Sequence, residues 1–173
     1  MSRGMIRFES WRCNFGLFLL IILVAFCAGC GLFGRGGKTA PEGDGKEVHF
    51  IFTGIERLNS CGEEAGNALS VRILQLKSDG ALTGVSLTQL WDHEADELGD
   101  ELIDQQEVVL DPGTKTTVSV LRKANTRYMA VAANFCKPDG SCWRWIRPTG
   151  ELKDSVKLTF DEFCIQEARA ARR

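Results

Sequence analysis

Beyond residue 47, apolar and polar residues alternate along most of the chain with a period of two. Residues 48–58 (VHFIFTGIERL) are rich in aromatic and β-branched side chains and end at Asn59. In residues 70–76, Val71 and Ile73 fall on one side and Arg72 and Leu74 on the other. Residues 107–110 form a short apolar run stopped by Asp111-Pro112-Gly113, where proline presets φ and glycine accepts a positive one. Alternation resumes over 116–121, 142–147 and 156–165, while 128–135 (YMAVAANF) is apolar on both sides, as a central strand is. Successive strand side chains point to opposite faces, so these patterns predict seven short strands.

One stretch departs from this period. Over residues 86–105, Leu87, Leu90, Trp91, Leu98, Leu102 and Ile103 recur at spacings of three, four and seven, which predicts helix. Gly99 splits it into two short pieces. Seven strands plus one helical insertion predict an all-β fold, a two-sheet β-sandwich with a short helical insertion.

The first 29 residues have a different character. Arg3, Arg7 and Arg12 precede an apolar run over 15–28, too short for a spanning helix of roughly 20 residues but right for a signal peptide. Ala28-Gly29-Cys30 closes the run like a lipobox, so cleavage before Cys30 and lipidation of that cysteine are expected. An uncut anchor, or a signal peptide cut elsewhere, stays open as an alternative. Gly31 rather than aspartate follows the cysteine, so nothing signals inner-membrane retention. The expectation is a lipid anchor in the outer membrane, on its periplasmic face. Residues 30–47 hold the lipidated cysteine and a tether dominated by glycine and charge, which lacks the apolar surface to order itself. Residues 48–173 are then the sandwich domain.

Cutting there takes the chain's 21 basic and 23 acidic residues to 18 and 22, a net charge of −4, which argues against nucleic acid as a partner. Residues 92–107 hold eight acidic residues and no basic one, either a solvated helical face or a surface for a basic partner. Cys61, Cys136, Cys142 and Cys164 remain in an oxidising compartment, where an even number implies disulfides. Three pairings are open. Cys136 and Cys142 flank a turn, so the pairing expected is Cys136 with Cys142 across a hairpin and Cys61 with Cys164. Metal is not expected, since neither His49 nor His93 stands at ligand spacing with a cysteine. No catalytic residues are expected either. There is no G-x-S-x-G, H-E-x-x-H or phosphate-cradling glycine loop, and no cofactor is implied. Trp143 and Trp145 read as core, with a carbohydrate platform as the alternative.

The order of several features resembles the TssJ family, outer-membrane lipoproteins of type VI secretion systems. They are Leu58-Asn59 after the first strand, Val71-Arg72-Ile73-Leu74-Gln75-Leu76, the helix around 87–91, Leu98-Gly99, Pro112-Gly113, the strand from Tyr128 to Phe135, and Trp143-Arg144. Leu74 stands where the family carries tyrosine. The resemblance implies a transthyretin-like sandwich and a role in assembly. It implies a partner too, the periplasmic part of an inner-membrane secretion subunit, TssM. The loop between the first two strands is then the partner-binding loop: Asn59, Ser60, Cys61, Gly62, Glu63, Glu64, Ala65, Gly66 and Asn67. A plain connector held by Cys61 is the alternative reading of that loop. A periplasmic ligand-binding or envelope-maintenance lipoprotein is the alternative function.

Overall fold

The computed structural model describes residues 43–168. The signal-peptide and Cys30 expectations, and most of the tether, lie outside these residues. Eight strands form: β1 Gly43–Gly54, β2 Leu69–Leu76, β3 Leu102–Leu110, β4 Lys115–Lys123, β5 Tyr128–Ala133, β6 Arg144–Pro148, β7 Ser155–Phe160 and β8 Ile165–Glu167. They make two sheets of four, ordered β4-β1-β7-β8 and β3-β2-β5-β6. Every pair is antiparallel except β1 with β7. β1 starts inside the segment expected to be tether, with Gly43 opposite Lys123 and a register shift before Glu47. The chain needs no large side chains there, because backbone pairing to β4 orders it.

The core lies between the sheets. Phe50, Phe52, Val156, Leu158 and Phe160 line one inner face; Val71, Ile73, Val131 and Trp145 line the other, all buried. The rings of Phe50 and Trp145 meet edge-on across the gap, with centroids 6.2 Å apart. Burying each large apolar side chain contributes roughly 1.5–3 kcal/mol. Gln75 is buried among them with its amide satisfied. It donates to Leu121 O at 3.1 Å and accepts from Lys123 N at 2.8 Å and Thr126 Oγ1 at 2.9 Å, which ties β2 to β4.

The second face of β2 and β5 is buried too. Two helices cover it, α1 Gly80–Gly84 and α2 Leu87–Leu98, and Leu74, Leu76, Ala130 and Ala132 are inaccessible. This is why residues 128–133 are apolar throughout. A capping box starts α2: Gln89 N donates to Ser86 Oγ at 3.3 Å and Ser86 N donates back to Gln89 Oε1 at 3.1 Å. Arg72 and Arg144, facing this side, hold the helices. Arg72 donates to Leu90 O at 3.2 Å and stacks 4.4 Å from the Trp91 ring centre. Arg144 donates to Leu82 O, Val85 O and Thr83 O at 2.6–2.8 Å, capping the end of α1.

Two expectations need correction here. Residues 102–105 are strand, not helix. Gly99 takes φ +47°, ends the helical run, and frees Leu102 onward to pair with β2. Gly99 divides α2 from a short 3-10 turn, Gly99–Glu101, as expected, and a further break falls inside α2 at His93 (φ −137°). The run 156–165 is not one strand but two, β7 and β8, folded back at 161–164 so that Phe160 faces Ile165.

Candidate functional site

The alternating strand directions put four connections, β1–β2, β3–β4, β5–β6 and β7–β8, at one end of the sandwich. The chain enters β1 at the opposite end. Loop β1–β2 is the longest of the four, and it is not free. Asn59 sits in the left-handed region (φ 51°), as does Cys61 (φ 57°). Asparagine tolerates that conformation better than most residues. Asn59 N donates to Glu162 O at 3.0 Å, and its carbonyl accepts from Asn67 Nδ2 at 3.2 Å. Asn67 N in turn donates to Leu58 O at 2.7 Å. Gly66 passes so close to the loop base that a Cβ there would stand 2.4 Å from Glu56 O.

Glu162, in the β7–β8 turn, is the electrostatic centre of this end. Its Oε1 accepts from the Ser60 hydroxyl and, at 3.0 Å, from Arg57 Nη2. The Ser60 hydrogen bond first, then Arg57, holds its carboxyl below the usual carboxylate range.

Two disulfides staple the loops: Cys61 to Cys136 (Cα atoms 5.7 Å apart) and Cys142 to Cys164 (5.0 Å). The expected pairing, Cys136 with Cys142 and Cys61 with Cys164, is therefore wrong. The β5–β6 connection is not a tight hairpin. Cys136 N is drawn to the side-chain oxygen of Asn59 at 2.9 Å, toward the β1–β2 loop. Cys142 lies against the β7–β8 turn, its carbonyl accepting from Ile165 N at 2.8 Å.

The predicted loop residues thus divide. Asn59 and Ser60 are buried and hold the loop's base, while Cys61, Gly66 and Asn67 are half-buried. Gly62, Glu63, Glu64 and Ala65 form an exposed tip. Sequence reasoning missed Glu162, whose one signal is the acidic pair Asp161-Glu162 interrupting an apolar strand pattern. Trp143 and Trp145 are buried, so the platform alternative fails, and Trp145 Nε1 donates to Glu167 at 3.0 Å. His49 pairs with Ser119 Oγ at 2.8 Å on an exposed sheet face, and among the described residues no carboxylate joins them. Among the described residues, no three His, Cys, Asp or Glu side chains gather as metal ligands.

A two-sheet sandwich that enters at one end and presents stapled loops at the other defines a small scaffold built for contact. The chain belongs to the type VI secretion lipoprotein family that includes VasD, EvfM and TssJ, whose model (T6SS-SciN) matches residues 46–162. Among solved structures it is similar to TssJ1 from Pseudomonas aeruginosa, with 24% identity over 73% of this chain and 98% of that one, TM-score 0.64. Serratia marcescens Lip, a membrane-bound component of the type VI secretion system, shares 18% identity over 71% and 97%, TM-score 0.65. A chain of a structure named "Type VI membrane complex" shares 23% over 72% and 98%, TM-score 0.68. At these identities the likeness establishes the fold. Comparison with curated proteins finds no match.

Proposed function

We propose that this chain is a lipoprotein anchored in the outer membrane through Cys30, and that it docks the periplasmic part of a TssM-like inner-membrane subunit without catalysing any reaction. The observation that carries this reading is the stapled β1–β2 loop, whose tip Gly62 to Ala65 is exposed at the end opposite the chain's entry at Gly43. Loops fixed on a rigid scaffold bind with little ordering cost. In support, one similar chain comes from a structure named for the TssM C-terminal domain from EAEC, with 22% identity over 72% of this chain and 99% of that one, TM-score 0.65.

The test mixes the full chain, extracted in detergent, with the periplasmic domain of the TssM-type protein from the same genome. Co-elution is expected, as is clear weakening when residues 62–65 are replaced by serine. Failure to co-elute at any salt concentration overturns the reading. Cys30→Ser is expected to leave the chain soluble or as an uncut precursor; unchanged membrane fractionation would exclude lipidation there.

A further inference from the structure

The two disulfides differ in how open they are to attack by another thiol. Cys136 is exposed and Cys61 half-buried, whereas Cys142 and Cys164 are both half-buried. The backbone also holds the two bridges differently. Cys142 N donates to Asp139 O at 3.1 Å, its carbonyl accepts from Ile165 N at 2.8 Å, and Asp161 N donates to Cys164 O at 2.8 Å. Cys61 instead sits in the left-handed region at φ 57°, which residues with a Cβ rarely adopt. Opening its bridge lets it leave that conformation. A cation stands close by as well. A Cβ on Gly62 would lie 3.4 Å from Lys137 Nζ, and these two residues directly follow Cys61 and Cys136. An ammonium beside a thiol stabilises its thiolate and so makes it a better leaving group.

The Cys61–Cys136 bridge also ties the tip of the β1–β2 loop to the β5–β6 loop. Among the described residues, the tip's other bonds run within its own loop. Glu63 N donates to Ser60 O at 2.8 Å, and Arg57 Nη1 donates to Glu64 O at 3.3 Å. The base of the loop has ties of its own. Asn59 N donates to Glu162 O, the Ser60 hydroxyl donates to the Glu162 carboxylate, and Cys136 N donates to Asn59 Oδ1. Breaking the bridge therefore loosens residues 61–65 and leaves the base and the sandwich in place.

From this we propose that Cys61–Cys136 is a redox latch on docking: a periplasmic protein dithiol opens it ahead of Cys142–Cys164, and the opened chain docks its partner weakly. The latch rests on the docking reading and adds its regulation. A thiolate of the dithiol attacks the Cys136 sulfur, the S–S bond breaks, and Cys61 leaves as a thiolate beside Lys137 and takes up a proton. The dithiol's second thiol then resolves the mixed disulfide and frees Cys136, which is protonated in turn. Two electrons and two protons have passed to the cysteines, and the dithiol has become a disulfide. An opened tip must be ordered on binding, a cost that the closed tip avoids.

The experiment treats the full chain in detergent with limiting dithiothreitol, blocks free thiols with iodoacetamide at intervals and maps them by mass spectrometry. Cys61 and Cys136 are expected to label at least about tenfold faster than Cys142 and Cys164. K137Q should slow that opening several-fold and leave the rate of the second bridge unchanged. Hydrogen exchange of the singly opened chain should show lost protection at residues 61–65 and full protection in β1 and β5. Its binding to the same TssM-type periplasmic domain should weaken at least about tenfold, and reoxidation before any alkylation should restore it. C61S/C136S should bind as the opened chain does, with no further response to the same dose of dithiothreitol. Equal labelling of the two bridges, or earlier labelling of Cys142 and Cys164, overturns the latch. Unweakened binding by the singly opened, folded chain also overturns it, while the docking reading survives. No binding by the oxidised chain overturns both.

Discussion

The side-chain oxygen of Asn59 accepts the backbone N–H of Cys136 at 2.9 Å, beside the disulfide that joins Cys61 to Cys136. The β1–β2 and β5–β6 loops are thus linked twice, once covalently and once by a left-handed asparagine. Its two roles separate by substitution. Asn59→Gly keeps the backbone free to take φ 51° and loses only the side-chain bonds, at a cost of about 1 kcal/mol. Asn59→Ala keeps a Cβ in the left-handed region without asparagine's local hydrogen bonds, so it should fall roughly 1–2 kcal/mol below the glycine variant. Urea unfolding should rank unaltered chain, glycine variant, alanine variant in falling order. Equal midpoints for the two variants would remove backbone conformation from the explanation.

The disulfide pairing makes its own prediction. Cys61–Cys136 spans 75 residues and Cys142–Cys164 spans 22. In the chain-entropy account the longer loop stabilises more, by about 1 kcal/mol. C61S/C136S should therefore unfold at lower urea than C142S/C164S. Peptide mapping without reductant should recover the two pairs seen here. A Cys136–Cys142 peptide as the main species would contradict the structure.

How far the sequence carried depends on whether a signal is local. The run from Tyr128 to Phe135 announces a central strand, because a strand covered on both faces must be apolar on both. The family resemblance pointed to the β1–β2 loop, which lies at the end of the sandwich opposite Gly43. What failed was decided by distant partners. Leu98 and Leu102 stand four apart as in a helix, yet Leu102 lies opposite Leu76 in a sheet. Cys136 and Cys142 are close in sequence, but Asn59 and the β7–β8 turn draw them apart. Glu162 gave no motif at all, since its partners Ser60 and Arg57 are over 100 residues away.

Glu162 also gives the loop end a pH dependence. Its folded pKa lies below the ordinary carboxylate value of about 4.3, through Ser60 first and Arg57 second. A depressed carboxyl stabilises the fold above its unfolded pKa, and that contribution is lost as pH falls through the folded value. Glu162→Gln should therefore lower the melting temperature most near pH 6–7, with the gap to the unaltered chain closing below about pH 4. A gap that is constant down to pH 2 would mean that the carboxylate's charge does not matter. Glu107, held low in the same sense by Ser70 and Arg72, titrates in both proteins and cancels in the difference.

Arg144 tests how the helical cover is held. Its guanidinium donates from β6 to three carbonyls around the end of α1, those of Leu82, Thr83 and Val85. The five-residue helix has no basic residue of its own in its last turn. Arg144 also lies 4.8 Å from the centre of the Trp143 ring. Arg144→Ala strands these carbonyls and should cost about 2–3 kcal/mol, since bonds to a charged donor are among the stronger ones. Arg144→Lys keeps the charge but not the planar fork, so it should recover only part of the loss. Hydrogen exchange locates the effect. Amides of residues 80–90 should lose protection well before those of β1 and β7, because those strands share no bond with Arg144. Equal loss across both sheets would mean that Arg144 stabilises the whole sandwich and not its helical cover.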